Sequence, residues 1–96
     1  MFDEEHNDEP QGTKWVREYE NDPEFVTEGV VASIIDQVFT LLLKKKLTIH
    51  KTANIMGISY SRLSHIMSSS NMTLLTVSRL AIALDMDIEI KLVEKK

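Results

Sequence analysis

The chain contains no cysteine among its 96 residues, which excludes disulfide bonds and thiolate zinc sites. It contains only three glycines, and because they lie far apart they form no glycine-rich phosphate loop. No run approaches the roughly 20 apolar residues of a membrane span, and the acidic start lacks the basic and apolar regions of a signal peptide. These absences predict a soluble cytoplasmic protein whose length allows one domain with one modest core.

Groupings of catalytic or metal-binding side chains are also missing. The three histidines, His6, His50 and His65, have no metal-ligand spacing, and no serine lies in a GxSxG turn or beside an obvious base. The sequence therefore predicts that the protein is not an enzyme and that it holds no metal and no cofactor.

The chain carries a net charge of −4, but its whole middle part contains no acidic residue. Residues 1–36 carry eleven carboxylates against two cations, a balance of −9, whereas residues 37–96 carry nine cations against four carboxylates, a balance of +5. No acid lies between Gln37 and Leu84, a stretch with six cations. Such a segment can approach phosphates without like-charge repulsion, and a solvated basic face is the alternative interpretation.

The stretch from Leu47 to Asn71 is the most informative part of the chain, because its pattern predicts two short amphipathic helices and a sharp turn. Thr48 is placed to cap the first helix and Ser59 the second. Gly57 allows the left-handed backbone conformation that ends a helix. The second helix points its apolar residues inward at spacings of three and four: Leu63, Ile66 and Met67.

The opposite face of this second helix is polar and carries one aromatic ring and one cation. Its residues are Tyr60, Ser61, Arg62, Ser64 and His65. Short polar side chains on an exposed helix suit the major groove of DNA, where base edges offer hydrogen-bond donors, acceptors and the thymine methyl group. A serine-rich surface that serves only solubility is the alternative interpretation.

These residues resemble the Cro and phage-repressor helix-turn-helix family, also called the xenobiotic-response-element type. The matching positions are Leu47, Thr48, Ala53, Met56, Gly57, Ile58, Ser59, Leu63, Ile66 and the segment Leu80 to Leu84. The similarity covers roughly residues 34–84, with Thr52 where the family usually buries leucine and three serines in place of a glycine-containing loop. It implies a mainly α, four- or five-helix Cro-like helix-turn-helix domain over residues 23–84.

The resemblance also implies a binding site for double-stranded DNA. Tyr60, Ser61 and His65 are expected to face base edges, with Arg62 and Ser64 beside them on bases or phosphates. The start of the preceding helix and the loop after the recognition helix are expected to contact the DNA backbone. The residues of this phosphate set are Thr48, His50, Lys51, Ser69, Ser70, Asn71 and Thr73.

Two segments precede this site. Residues 1–22 are expected to form a flexible acidic arm, in which Trp15, with Val16 and Tyr19, either docks on the core or serves as a partner-binding hot spot. Asp22 and Pro23 then look like a helix start. This helix is expected to run to about Lys46, is apolar nearly all round, and contains Gly29, which allows a break or kink.

The pattern changes again after a predicted fourth helix, which Thr73 caps and which reaches Leu84. In residues 85–96, Ile88, Ile90 and Leu92 alternate with charged residues, and this period of two predicts a short C-terminal β-strand. A lone strand leaves its backbone groups unpaired, so we expect pairing with the same strand of a second copy in a homodimer. The predicted dimerisation residues are therefore Ile88, Ile90 and Leu92.

Together these patterns predict a dimeric, sequence-specific transcriptional repressor that binds an inverted-repeat operator. A helix-turn-helix body followed by such a strand also resembles HigA-like antitoxins, which implies a cognate toxin protein as partner and control of its own operon. Two alternatives remain open. In one, the acidic arm engages a basic toxin and DNA binding is secondary. In the other, the arm folds over the basic face and the domain is only a protein adaptor.

Overall fold

The computed structural model describes residues 21–95, and this part of the chain is mainly α-helical, with four helices. They are α1, Pro23–Lys45; α2, Ile49–Met56; α3, Tyr60–Met67; and α4, Leu74–Ala83. The predictions on Trp15, Val16 and Tyr19, and on nearly all of the arm 1–22, lie outside the described residues.

Each helix begins at the side-chain cap that the sequence predicts. The four caps are Asp22, Thr48, Ser59 and Thr73. In each, a side-chain oxygen accepts a hydrogen bond from an amide of the first turn, over 3.0–3.2 Å. Each bond satisfies one donor that the helix start leaves without a partner, so short polar residues fix all four starts locally.

Left-handed residues lie at the ends of α1 and α2 and just beyond α4. Gly57 follows α2 with φ 74°, as the sequence predicts, and its amide donates to the carbonyls of Ala53 and Asn54. Lys46 and Asp85 take the same conformation with φ 57° and 59° although neither is glycine. An L residue with a Cβ is strained there by about 1 kcal/mol, so these two ends depend on the packing around them.

The core lies where the C-terminal half of α1 meets the three short helices. Its buried members are Val38, Leu42, Ala53, Leu63, Met67, Leu80 and Leu84. Thr52 is also buried, with 1% of its surface exposed, at the position where the family resemblance implied leucine. Its hydroxyl donates to the carbonyl of Thr48 over 2.9 Å, so the buried polar group is satisfied within its own helix.

Helix α1 continues unbroken through Gly29, where a Cβ would meet no atom within 4 Å. Only Val31, Val38 and Leu42 are buried along its length. One side of α1 therefore packs on the body while much of the other lies open. The large apolar residues exposed on α1 are Phe25, Val26, Val30, Phe39 and Leu43.

By length and composition, α1 is also apolar enough to cross a membrane, with an 18-residue window of mean hydropathy 1.6. Counting uninterrupted apolar residues misses this property because Glu28 and Asp36 break the run. The core helix of a soluble protein passes the same test, and α1 supplies Val38 and Leu42 to the core.

The predicted C-terminal strand is not formed within this chain. Residues 86–95 have no regular secondary structure, and the last backbone hydrogen bond of the described residues runs from the amide of Met86 to the carbonyl of Ala81. Four helices offer no sheet edge, so a strand here has nothing to pair with inside the described chain. We call residues 86–95 the tail.

The tail runs back beside α1. Residues 86–91 line an apolar groove of about 430 Å³ together with α1 and α4, and Lys95 Nζ donates to Asn21 Oδ1 at the start of α1. The apolar residues predicted for dimerisation are largely uncovered, because Ile88 is 41%, Ile90 65% and Leu92 95% exposed.

Candidate nucleic-acid interface

A three-residue turn, Gly57 to Ser59, joins α2 to α3 and fixes how α3 is presented. The amide of Ile58 donates to the carbonyl of Ala53 over 3.0 Å, and the Ile58 side chain packs against the core. On α3 the predicted inward residues Leu63 and Met67 are buried, with 1% and 7% of their surface exposed. Because both ends of the turn and the inner side of α3 are held, the opposite side of α3 faces outward as a fixed surface.

The five predicted base-facing residues divide into two groups on this surface. Successive residues of a helix are rotated by about 100°, so Ser61, Arg62 and His65 lie opposite the buried side, and all three are exposed. Tyr60 and Ser64 lie at the flank, where Tyr60 is 44% exposed and Ser64 is half-buried. We call Ser61, Arg62 and His65 the outer face of α3.

A stacked ring pair joins the starts of α2 and α3. The rings of His50 and Tyr60 are nearly parallel, with an interplanar angle of 17° and centroids 4.1 Å apart. His50 belongs to the predicted phosphate set and Tyr60 to the predicted base set, so the structure brings one member of each together. The signal for this contact is present in the sequence, since each residue lies in the first turn after a cap, but spacing alone does not reveal it.

Exposed cations lie at the end of α1 and in the first turn of α2. Lys51 lies in its first turn, and Lys44, Lys45 and Lys46 end α1 just before it. With Arg62 and Arg79 they make up the six cations of the acid-free stretch, and none forms an ion pair with a carboxylate of the described chain. The predicted site omitted the three consecutive lysines. Their position beside a positive helix end raises the local potential for a phosphate.

Several residues predicted to contact phosphates instead form hydrogen bonds within the protein. The hydroxyls of Thr48 and Thr73 are occupied as helix caps. In the loop after α3, Ser69 Oγ donates to the carbonyl of Asn71 over 2.6 Å and accepts from its amide over 3.1 Å. These bonds give the loop a defined shape without the glycine that the family resemblance implied. Ser70 is exposed and is the loop serine free to reach outward.

The loop and α3 meet around a shallow depression of about 200 Å³. Its lining includes His65 from the outer face together with Ser69, Asn71 and Thr73 from the predicted phosphate set. The structure thus places two groups of predicted DNA contacts on one continuous surface, from the start of α2 across α3 to the start of α4. Among the described residues no cluster of three or more metal-ligating side chains is found.

Comparisons with known proteins give no relative for this chain. No family model, curated protein or solved structure matches it. Any function assigned to the chain therefore depends on the surface that its own residues form.

Proposed function

We propose that this protein is a sequence-specific DNA-binding transcriptional repressor that acts as a cytoplasmic homodimer on an inverted-repeat operator. The observation that carries the proposal is the outer face of α3, an exposed polar surface inside a stretch of 48 residues with six cations and no carboxylate. A DNA duplex approaching this face meets hydrogen-bonding side chains for its bases and no like charge for its phosphates.

The finer fold that we propose is a Cro-like helix-turn-helix, in which α3 is the recognition helix. Ser61, Arg62 and His65 would read base edges from the major groove. The start of α2, with His50 and Lys51, would hold one phosphate, and the loop before α4 would hold the strand on the other side. The stack of Tyr60 on His50 would fix the position of α3 between these two phosphate contacts.

A cytoplasmic protein is favoured over a membrane protein by the position of α1. Val38 and Leu42 from this helix lie in the same core cluster as Ala53, Leu63 and Leu80 from the three short helices. A helix inserted in a bilayer would remove these side chains from that core. The exposed apolar side of α1 and the exposed tail are instead proposed to be covered by the second subunit.

The DNA-binding proposal is tested by footprinting and titration on the region upstream of the gene. We expect protection of two half-sites whose centres are about one helical turn apart. Affinity should fall by about 10³-fold between 50 and 200 mM salt if the dimer neutralises roughly six phosphates. An affinity that does not change with salt would contradict the electrostatic part of the proposal.

Three substitutions distinguish recognition of the operator sequence from general affinity for DNA. Ser61→Ala and His65→Ala should each lose about 1–3 kcal/mol on the operator and little on random DNA, whereas Lys51→Ala should weaken both alike. Thr40→Ala is the control, because Thr40 is an exposed hydroxyl residue on α1 that lines neither the depression beside α3 nor the groove beside the tail. If all the variants bind operator and random DNA with equal losses, the outer face of α3 does not read bases.

The uneven charge favours a second candidate, a HigA-like antitoxin whose acidic arm, residues 1–22 with eight carboxylates against two cations, engages a basic toxin. Opposite charge on a partner would speed association and align the two proteins. Deleting residues 1–20 should then abolish neutralisation of a toxin encoded beside this gene while operator binding remains. If the shortened chain still neutralises the toxin, the arm is not the toxin-binding element.

A further inference from the structure

The tail offers a complete row of unpaired backbone groups. No backbone hydrogen bond is formed by residues 87–95, although this segment alternates apolar and polar side chains as a strand does. Leu92, with 95% of its surface exposed, and Ile90, with 65%, are large apolar residues that the body leaves uncovered. Exposed edges with this pattern are templates for pairing with another strand.

We propose that the tails of two copies pair as an antiparallel ribbon whose twofold axis passes through Ile90. This inference rests on the dimer of the proposed function and specifies which residues meet. In a twofold antiparallel pair, residues equally far before and after the axis lie opposite each other on the same face. An axis at Ile90 therefore places Ile88 opposite the partner's Leu92, and Glu89 opposite the partner's Lys91.

The charges of the tail select this register over its neighbours. With the axis at Ile90, two Glu89–Lys91 pairs form across the ribbon and no like charges face each other. An axis at Glu89 would place Glu89 opposite itself, and an axis at Lys91 would place Lys91 opposite itself. An axis at Ile88 would place Asp87 opposite the partner's Glu89. Among the registers centred on residues 88–91, only the one at Ile90 brings opposite charges together without any like-charge pair.

The groove beside α1 offers a place where the partner's Leu92 would be buried. Ile88 lines this groove with Ile34 and Val77, whereas Leu92 does not reach it in its own chain. With the axis at Ile90, Leu92 from the second copy lies next to Ile88 and at the groove. Each copy would therefore bury in its partner a leucine that its own body leaves exposed.

Cross-linking tests the register directly, since the chain has no cysteine to interfere. Residues directly opposite in an antiparallel ribbon have Cα atoms about 4.5–5.5 Å apart, within the range of a disulfide. Ile90→Cys should therefore form a disulfide-linked dimer under mild oxidation. Ile88→Cys and Leu92→Cys should each stay monomeric on a denaturing gel, because equal positions then lie about 14 Å apart along the ribbon, but an equimolar mixture of the two should cross-link.

Charge exchange is the second test. Glu89→Lys and Lys91→Glu should each raise the dimer dissociation constant by roughly tenfold, and the double exchange should return it to near the original value. Faster cross-linking by Glu89→Cys or Lys91→Cys than by Ile90→Cys would overturn the register, as would a double exchange as weak as the single ones. Circular dichroism on each variant checks that the helices are intact.

Operator binding by the unmodified chain, measured in parallel, separates this inference from the proposed function. Cross-linking at Ile90 without operator binding would support the ribbon and contradict the proposed repressor function. Operator binding by a dimer that never cross-links through the tail would contradict the ribbon and support the proposed repressor function.

Discussion

Residues 47–84 and the segments that flank them differ in how they are fixed and in how much apolar surface they expose. In the first region each helix has a cap and a turn or loop fixes its neighbour. Its buried core residues lie at helical spacing, although Ile55, Leu74 and Ile82 stay exposed. In the flanks, the outer side of α1 and the tail expose Leu43, Ile90 and Leu92 to solvent. Local signals therefore define the helices and the buried residues of the first region, whereas the flanks carry long apolar stretches that a further contact would bury.

The largest expected effect tests whether residues 47–84 hold a true core. Leu80 and Ile82 lie two residues apart on α4, with 1% and 77% of their surfaces exposed. Leu80→Ala should lower the free energy of unfolding by about 2–5 kcal/mol, because it leaves a cavity among packed side chains. Ile82→Ala should change it by less than about 0.5 kcal/mol. Urea unfolding measures both, and similar losses would remove the distinction between core and surface on α4.

The two glycines Gly57 and Gly29 should change stability in opposite directions when replaced by alanine. Gly57 ends α2 with φ 74°, so Gly57→Ala should destabilise the protein by about 1–2 kcal/mol. Gly29 lies inside α1 with open space where a Cβ would be, so Gly29→Ala should stabilise it by up to about 1 kcal/mol. Thermal unfolding monitored by circular dichroism would show the two shifts. A loss at Gly29 would mean that this part of α1 is not a regular helix.

Removing a helix cap should have the next largest effect on stability. The hydroxyl of Ser59 accepts from the amide of Arg62 over 3.0 Å, so Ser59→Ala should cost about 1 kcal/mol of stability. Ser61→Ala, two residues later on the exposed side of α3, is the matched control and should cost no stability. Equal losses from both changes would show that the start of α3 is held by packing alone.

Asp85 should give the smallest effect, at the border between the two regions. Its φ of 59° suits glycine, so Asp85→Gly should stabilise the protein by about 0.5 kcal/mol while Asp85→Ala destabilises it. Differential scanning calorimetry at matched concentration would resolve the two variants. A loss with glycine would mean that the aspartate side chain contributes more than the backbone strain that it causes.

The sequence predicts most of residues 47–84 because the signals there are local. Three caps, the glycine turn and the inward spacing on α3 each involve residues at most four positions apart. Contacts between elements are harder to predict. The stack of His50 on Tyr60 depends on how two helices cross, and the use of Ser69 to shape the loop depends on a backbone carbonyl that no pattern of residue types specifies.

The tail shows why a strand-like period does not by itself produce a strand within one chain. Ile88, Ile90 and Leu92 have the alternation of a strand, but strand structure needs backbone partners that the described chain does not supply. The period reports the preferred face of each side chain, and it says nothing about the availability of a neighbouring strand. The continuity of α1 through Gly29 is the reverse case, since a weak local propensity gave way to the helix on both sides.

The position of the core along the chain also sets an order of events during folding. All of its buried and half-buried members lie between Ile34 and Leu84, and none comes from the tail. Residues 34–84 therefore supply the whole core cluster, so the body can fold before the tail has found any partner. The tail, which adds nothing to this core, would still be free for a later contact once the helices have packed.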